Sequence, residues 1–288
     1  MTDNEAQLTK HFNEKLRAAA DRAQSLVCVG LDPDLSKFPE SLKHRSRGKQ
    51  VEAFNRAIIE ATSDLVCCYK PNFAFYLQFG IEGLEALVAT RQAIPADIPV
   101  LLDCKVGDID STAAAYARGF FEEWGFDAIT VSPYLGEDSL APFFKYEDRG
   151  VFSICKTSNR GSGDLQDMTL ADTSTPLFEE VARKAAGWNE RYPAAVGLVV
   201  GATYPEQLAR VREIAGDLPI LLPGVGAQSG DVETAVRNGL DSRGGGLMAS
   251  SSRGITYASS GEDFADVARA TTLALRDVTN AARFATNP

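Results

Sequence analysis

The segment Asp103-Cys104-Lys105-Val106-Gly107-Asp108-Ile109-Asp110-Ser111-Thr112 concentrates the residue types that acid–base and electrostatic catalysis use. Asp103 and Lys105 are two apart, so on a β-strand their side chains share one face. Asp108 follows on a loop, and Thr112 lies four residues further, one helical turn away. A structural reading competes with the catalytic one: an Asp–Lys pair at a strand end, with Asp108 or Asp110 capping the next helix. Against it, charges at the end of an apolar strand need a reason to be desolvated. Spacing alone leaves both readings open.

Two further segments could bind an anion. In LPGVGAQSGD (222–231), which starts with Leu222 and Pro223, the glycines Gly224 and Gly226 let backbone N–H groups approach a ligand, and Gln228 adds a side-chain donor. In SSSRG (250–254), backbone amides, including that of Ser252, and the guanidinium of Arg253 could grip a phosphate. Each Gly-rich turn is equally explained by a tight strand–helix connection. Lys70 in YKPN is either an ion-pair partner or a ligand contact. Asp32 in LDPD either touches a ligand or starts a turn with Pro33. Ser158, Tyr134 and Lys156 also stand near strand ends, and nothing in the sequence separates Tyr134 and Lys156 from packing or surface roles. The polar stretch 159–176 is long enough for a lid or binding loop, or for a solvated connection.

These residues need a scaffold, and the pattern of apolar runs supplies one. Eight runs rich in Val, Ile and Leu span 25–32, 64–72, 98–105, 127–133, 150–158, 195–202, 218–226 and 246–254. Each is nearly continuous in hydrophobicity, as in parallel strands buried on both faces. Helix-like patterns separate them. Eight strand–helix repeats predict a (β/α)8 TIM barrel, with an open doubly wound sheet as the alternative. The first strand is not followed by GxGxxG, which weakens a dinucleotide-binding version. No linker or low-complexity break occurs, so residues 1–288 read as one barrel domain. Residues 1–24 form an added N-terminal helix whose Leu8, Phe12 and Leu16 share the face that packs on the barrel. In such a barrel the ends of the strands place Asp32, Lys70, Asp103, Lys105, Ser158, Pro223 and Arg253 around one mouth.

Composition sets limits on the chemistry. Hydrophobic residues make up 44% and charged residues 24%, as in globular chains. The net charge of −10 disfavours nucleic-acid binding, so any phosphate site must be local. No run of 18 apolar residues suggests a membrane span, and the polar N-terminus lacks the apolar core of a signal peptide. Five cysteines with no CxxC read as buried thiols in a reducing, cytoplasmic setting. Two histidines leave little material for a His-ligated metal or a His-centred triad.

DCKVGDIDST resembles the Asp-x-Lys-x-x-Asp-Ile-x-x-Thr motif of the orotidine 5'-phosphate decarboxylase family, and is closest to its longer bacterial branch. GLDPD, CYKPN, SICKTSNRGSGDLQ, PGVGAQSGD and SSSRGI follow in the family's order, over about residues 20–275. The Asp-Lys-Asp core alone is shared with related sugar-phosphate lyases. The resemblance implies a homodimeric, metal- and cofactor-free decarboxylase that converts the nucleotide orotidine 5'-phosphate to uridine 5'-phosphate. It makes Lys105 the proton donor to C6 of the pyrimidine and Asp103 and Asp108 its flanking carboxylates. Asp108 and Thr112 would reach into the partner subunit's site. Asp32 and Lys70 would contact the ribose hydroxyls and Ser158 the pyrimidine edge. Pro223, Gln228, Ser252 and Arg253 would line the phosphate. Many members have Gly where this chain has Ser252, so a backbone contact is the safer inference there. The alternatives are a Mg²⁺-dependent lyase or aldolase acting on a sugar phosphate, and a catalytically silent phosphosugar-binding scaffold.

Overall fold

The structure, a computed structural model, describes residues 11–226 and 232–285. Its strands are β1 (Val27–Leu31), β2 (Cys68–Pro71), β3 (Leu101–Val106), β4 (Ala128–Val131), β5 (Gly150–Lys156), β6 (Ala195–Val200), β7 (Ile220–Pro223) and β8 (Leu247–Ser251). They form one parallel sheet in the order β2-β1-β8-β7-β6-β5-β4-β3. Parallel bridges from Tyr69 to Val100 and from Asn72 to Asp103 bring β3 back to β2. Those bridges close the ring, so the eight expected repeats do form a (β/α)8 barrel. Most strand residues are buried, which accounts for the lack of polar–apolar alternation in their sequences.

The helices are α1 (His11–Ala23), α2 (Arg47–Thr62), α3 (Phe73–Leu77), α4 (Ile81–Ala93), α5 (Asp110–Ala117), α6 (Glu137–Phe144), α7 (Leu177–Arg191), α8 (Pro205–Ala215), α9 (Val232–Gly239), α10 (Arg253–Thr256) and α11 (Phe264–Phe284). The outer helices bury one stripe each. In α7 it is Phe178, Ala182, Ala185 and Trp188, and in α11 it is Phe264, Ala268, Thr272, Leu275, Thr279 and Ala282. These spacings of three and four residues place them on one helical face.

Helix α1 seats Phe12 edge-on against Phe152 of β5, with ring centroids 5.7 Å apart. Phe12 and Leu16 are buried as their spacing predicts, while Leu8 lies outside the described residues. Lys15 adds an ion pair to the buried Asp127, which also accepts from Arg91 and from the backbone N–H of Val100. All five cysteines are free thiols, and Cys28, Cys67, Cys68 and Cys155 are buried. Strand β8 ends at Ser251, three residues earlier than its sequence run suggests, because Arg253 already opens the one-turn helix α10.

Candidate active site

Strand β3 leaves regular geometry where its charged residues begin. Its register against β4 shifts between Leu102 and Val106, and Lys105 takes a positive φ of 48°. That backbone region is costly for a residue with a side chain and persists only when its surroundings enforce it. Thr130 of β4, fully buried, does the enforcing. Its Oγ1 accepts the backbone N–H of Cys104 at 3.0 Å and that of Lys105 at 2.9 Å. The same hydroxyl donates to Asp103 Oδ1 at 2.9 Å. One side chain therefore holds both the bulge and the carboxylate beside it.

Asp103 is the hub. Lys105 Nζ lies 2.5 Å from its Oδ1, and Lys70 Nζ lies 3.3 Å from its Oδ2. Asn72 Nδ2 also donates to Oδ2, at 3.2 Å. The other end of the Asn72 amide caps α3 by accepting from the N–H of Ala74, so the orientation of its donor is set by the start of that helix. Burial by itself pushes the Asp103 carboxyl up. The ammonium groups of Lys70 and Lys105, with hydrogen bonds from Lys105 and Thr130, outweigh it and hold the pKa at about 2. Burial likewise opposes the charge of Lys70, but the carboxylates of Asp103 and then Asp32 win and raise its pKa well above the ordinary lysine value.

The two lysines differ in access. The Lys70 side chain is 7% exposed, whereas that of Lys105 is 47% exposed. Lys105 is open to a substrate entering the mouth, while Lys70 is nearly buried against Asp103.

Asp32, just past the end of β1, is tied to the far end of the chain. Ser252 Oγ donates to its Oδ2 at 2.7 Å, and Tyr257 OH donates to its backbone carbonyl at 2.8 Å. Asp32 Oδ1 is buried and has no hydrogen-bond partner among the described residues, leaving one acceptor open to a hydroxyl donor.

The remaining residues singled out in the sequence divide into four sets. Ser158 and Arg253 are exposed just beyond β5 and β8, and Pro223 is half-buried at the end of β7. Asp108 and Thr112 form no hydrogen bond with Asp103 or Lys105. Asp108 Oδ1 accepts from the N–H of Ile109, and Thr112 lines an apolar cavity of about 310 Å³ with Phe73, Tyr116, Phe120 and Trp124. Gln228 lies outside the described residues. Tyr134 is 80% exposed, whereas Lys156 is buried.

Sequence reasoning missed Thr130 and Asn72. Asn72 was visible as the residue ending YKPN, but a buried threonine within DAITVSP carries no local signal. Its importance comes from the neighbour it faces across the sheet. Among the described residues, no group of three or more His, Cys, Asp or Glu side chains is arranged to hold a metal ion.

The sequence model of the Orotidine 5'-phosphate decarboxylase / HUMPS family matches residues 25–267. An orotidine 5'-phosphate decarboxylase of Thermomicrobium roseum is 52% identical over 266 residues, covering 92% of this chain and 94% of that protein. One from Cellvibrio japonicus is 49% identical, covering 94% and 99% respectively. Among solved structures, the Leishmania donovani OMP decarboxylase superposes with a TM-score of 0.81 at 41% identity, covering 95% of this chain and 99% of that one.

Proposed function

The chain belongs to the orotidine 5'-phosphate decarboxylase / HUMPS family and is a carboxy-lyase that converts orotidine 5'-phosphate to uridine 5'-phosphate in pyrimidine biosynthesis, and we propose that Lys105 is the residue that protonates the product carbon, without a metal or cofactor. The observation that carries this assignment is the Lys70–Asp103–Lys105 array, with one ammonium buried and the other accessible. Loss of CO₂ breaks the bond to C6 and leaves its electron pair on that carbon, with no adjacent carbonyl to delocalise it. An ammonium fixed beside C6 stabilises that pair and then transfers its proton to it, leaving a neutral lysine.

The electrostatic term has a scale. Two unit charges about 4 Å apart attract by about 4 kcal/mol at an effective dielectric of 20. Enzymes lower barriers by about 8–23 kcal/mol, so Lys105 needs help. Preorganisation supplies it: Thr130 and Asp103 hold the lysine in place before substrate arrives. Asp103, kept ionised, would also face the substrate carboxylate.

In the same reading the open Oδ1 of Asp32 and the ammonium of Lys70 take ribose hydroxyls. Ser158 meets the pyrimidine edge, and Pro223, Gln228, Arg253 and the main chain of Ser252 line the phosphate. The side chain of Ser252 is already committed to Asp32.

Asp108 and Thr112 would complete the site of a second protomer in a homodimer. Supporting this, Thr112 borders the apolar cavity, and Phe75, Leu77, Ile81, Ile109, Tyr116, Tyr134 and Leu135 are exposed on segments following the consecutive strands β2, β3 and β4. Exposed apolar groups gathered in one region mark an association surface. No helix among the described residues is long and apolar enough to cross a membrane, and the reading places the enzyme in the cytoplasm with its pathway.

The decisive experiment follows the ultraviolet absorbance of orotidine 5'-phosphate with purified protein, with and without EDTA. Turnover that EDTA leaves unchanged is expected. Abolition by EDTA with recovery on adding Mg²⁺ would sink the metal-free proposal in favour of an enediolate-type lyase.

A further inference from the structure

Lys156 ends β5 with its side chain 1% exposed, and none of the chemistry above uses it. Burying an ammonium is unfavourable unless it is paired and hydrogen-bonded, and an apolar side chain would fill a strand end at less cost. The charge is fully occupied, and its partners come from the segment that follows. Lys156 Nζ donates to both carboxylate oxygens of Asp167, at 2.7 and 2.8 Å, and to Ser162 Oγ at 3.1 Å. It also sits 4.9 Å from the ring centre of Tyr204, which precedes α8.

The segment is cinched a second time by Gln166. Its Oε1 accepts the backbone N–H of Thr157 at 2.8 Å, and its Nε2 donates to Thr157 Oγ1 at 2.9 Å. Ser158 follows Thr157 directly, inside the loop that both clasps close. Gly201, the first residue past β6, approaches so closely that an added Cβ would stand 2.8 Å from both the Cβ and the backbone N of Ser158. The N–H of Gly201 in turn donates to the carbonyl of Lys156 at 2.8 Å.

We propose that Lys156, through Asp167 and Ser162, is a positioning residue that folds residues 157–167 back onto β5 and thereby sets Ser158 against the pyrimidine ring. The inference rests on the reading of Ser158 as the base contact. It predicts a defect in recognition of the base that spares recognition of the sugar phosphate.

The experiment compares uridine 5'-phosphate, which carries the base, with ribose 5-phosphate, which lacks it. Lys156→Met is expected to weaken uridine 5'-phosphate binding and raise KM for orotidine 5'-phosphate by about tenfold, as for loss of a positioned hydrogen bond. The inhibition constant of ribose 5-phosphate should stay within about twofold, since the phosphate contacts come from other strand ends. Asp167→Asn, which changes only the loop side of the clasp, should act in the same direction and serves where Lys156→Met fails to fold. Lys156→Arg should restore base affinity. In a Ser158→Ala background, Lys156→Met should add little, because both act on one contact. Equal weakening of both ligands, unchanged affinity for uridine 5'-phosphate, or full additivity with Ser158→Ala would each overturn the assignment. If Ser158→Ala alone leaves uridine 5'-phosphate affinity unchanged, the reading of Ser158 is what fails, and the role of Lys156 falls with it.

Discussion

Asp103 joins stability and chemistry in one carboxylate. Two ammonium groups and two neutral donors converge on it, and among the described residues Lys70 has no comparable partner at hydrogen-bond distance. Asp103→Asn would leave Lys70 charged and buried without its nearest counter-charge, at a cost of about 3–5 kcal/mol. A fall in urea midpoint at pH 7 measures it, and an unchanged midpoint would show that Asp32 suffices. The pH dependence follows from the same bonds. The folded pKa of about 2 lies below the ordinary 3.8, so the stability Asp103 contributes is fully present above about pH 4. It drains away as pH falls from about 4 through about 2, and Asp103→Asn should flatten that part of the profile. Thr130 acts one step further from substrate. Thr130→Val removes the hydroxyl that supports the Lys105 turn, and kcat should drop by about ten- to a hundredfold with KM little changed. Thr130→Ser should keep most of the activity; an equal loss in both variants would assign the effect to packing rather than to the hydrogen bonds.

At the scale of elements, the site depends on how closely strand ends approach. Gly30 of β1 pairs in register with Lys70 of β2, and an added Cβ there would stand 2.5 Å from Ser252 Cβ and 2.9 Å from its Oγ. Glycine is what lets the segment after β8 lie against β1 and Ser252 reach Asp32. Gly30→Ala should displace Ser252 and the start of α10, costing about 1–3 kcal/mol of stability through overpacking. It should also raise KM for orotidine 5'-phosphate, because both the Asp32 contact and the placement of Arg253 shift together. Wild-type KM in that variant would mean that the β8–α10 connection yields without moving Arg253. The order of strands and helices was readable from hydrophobic runs, and so was the concentration of charge at strand ends. The bulge in β3 was not. DCKV reads as an ordinary continuation of an apolar strand, and only its neighbour Thr130 shows why Lys105 leaves regular geometry.

For the molecule as a whole, the barrel places two kinds of residue from one motif in different directions. Asp103 and Lys105 are linked to each other and, through Asp103, to Lys70, while Thr112 borders the apolar cavity and Asp108 accepts the N–H of Ile109. If a second protomer's site is completed there, mixing Lys105→Ala and Asp108→Ala proteins should recover activity that neither has alone. Random exchange in a two-fold dimer gives roughly a quarter of the wild-type number of intact sites. No recovery, with exchange verified by differently tagged protomers, would place Asp108 in the site of its own chain.

By itself the sequence determined eight strand–helix repeats with strands buried on both faces, and the bridges between β2 and β3 decided for a closed barrel over an open doubly wound sheet. It also determined which residue types stand at the strand ends, and its net charge of −10 told nothing of the lysines gathered at the mouth. Which of those lysines is accessible, which carboxylate they share and what holds the strained turn between them were decided by tertiary structure alone. The reason is physical. Exposure, pairing and pKa depend on atoms brought together from β2, β3 and β4, and spacing along a chain carries no record of the neighbours that closure of the barrel supplies.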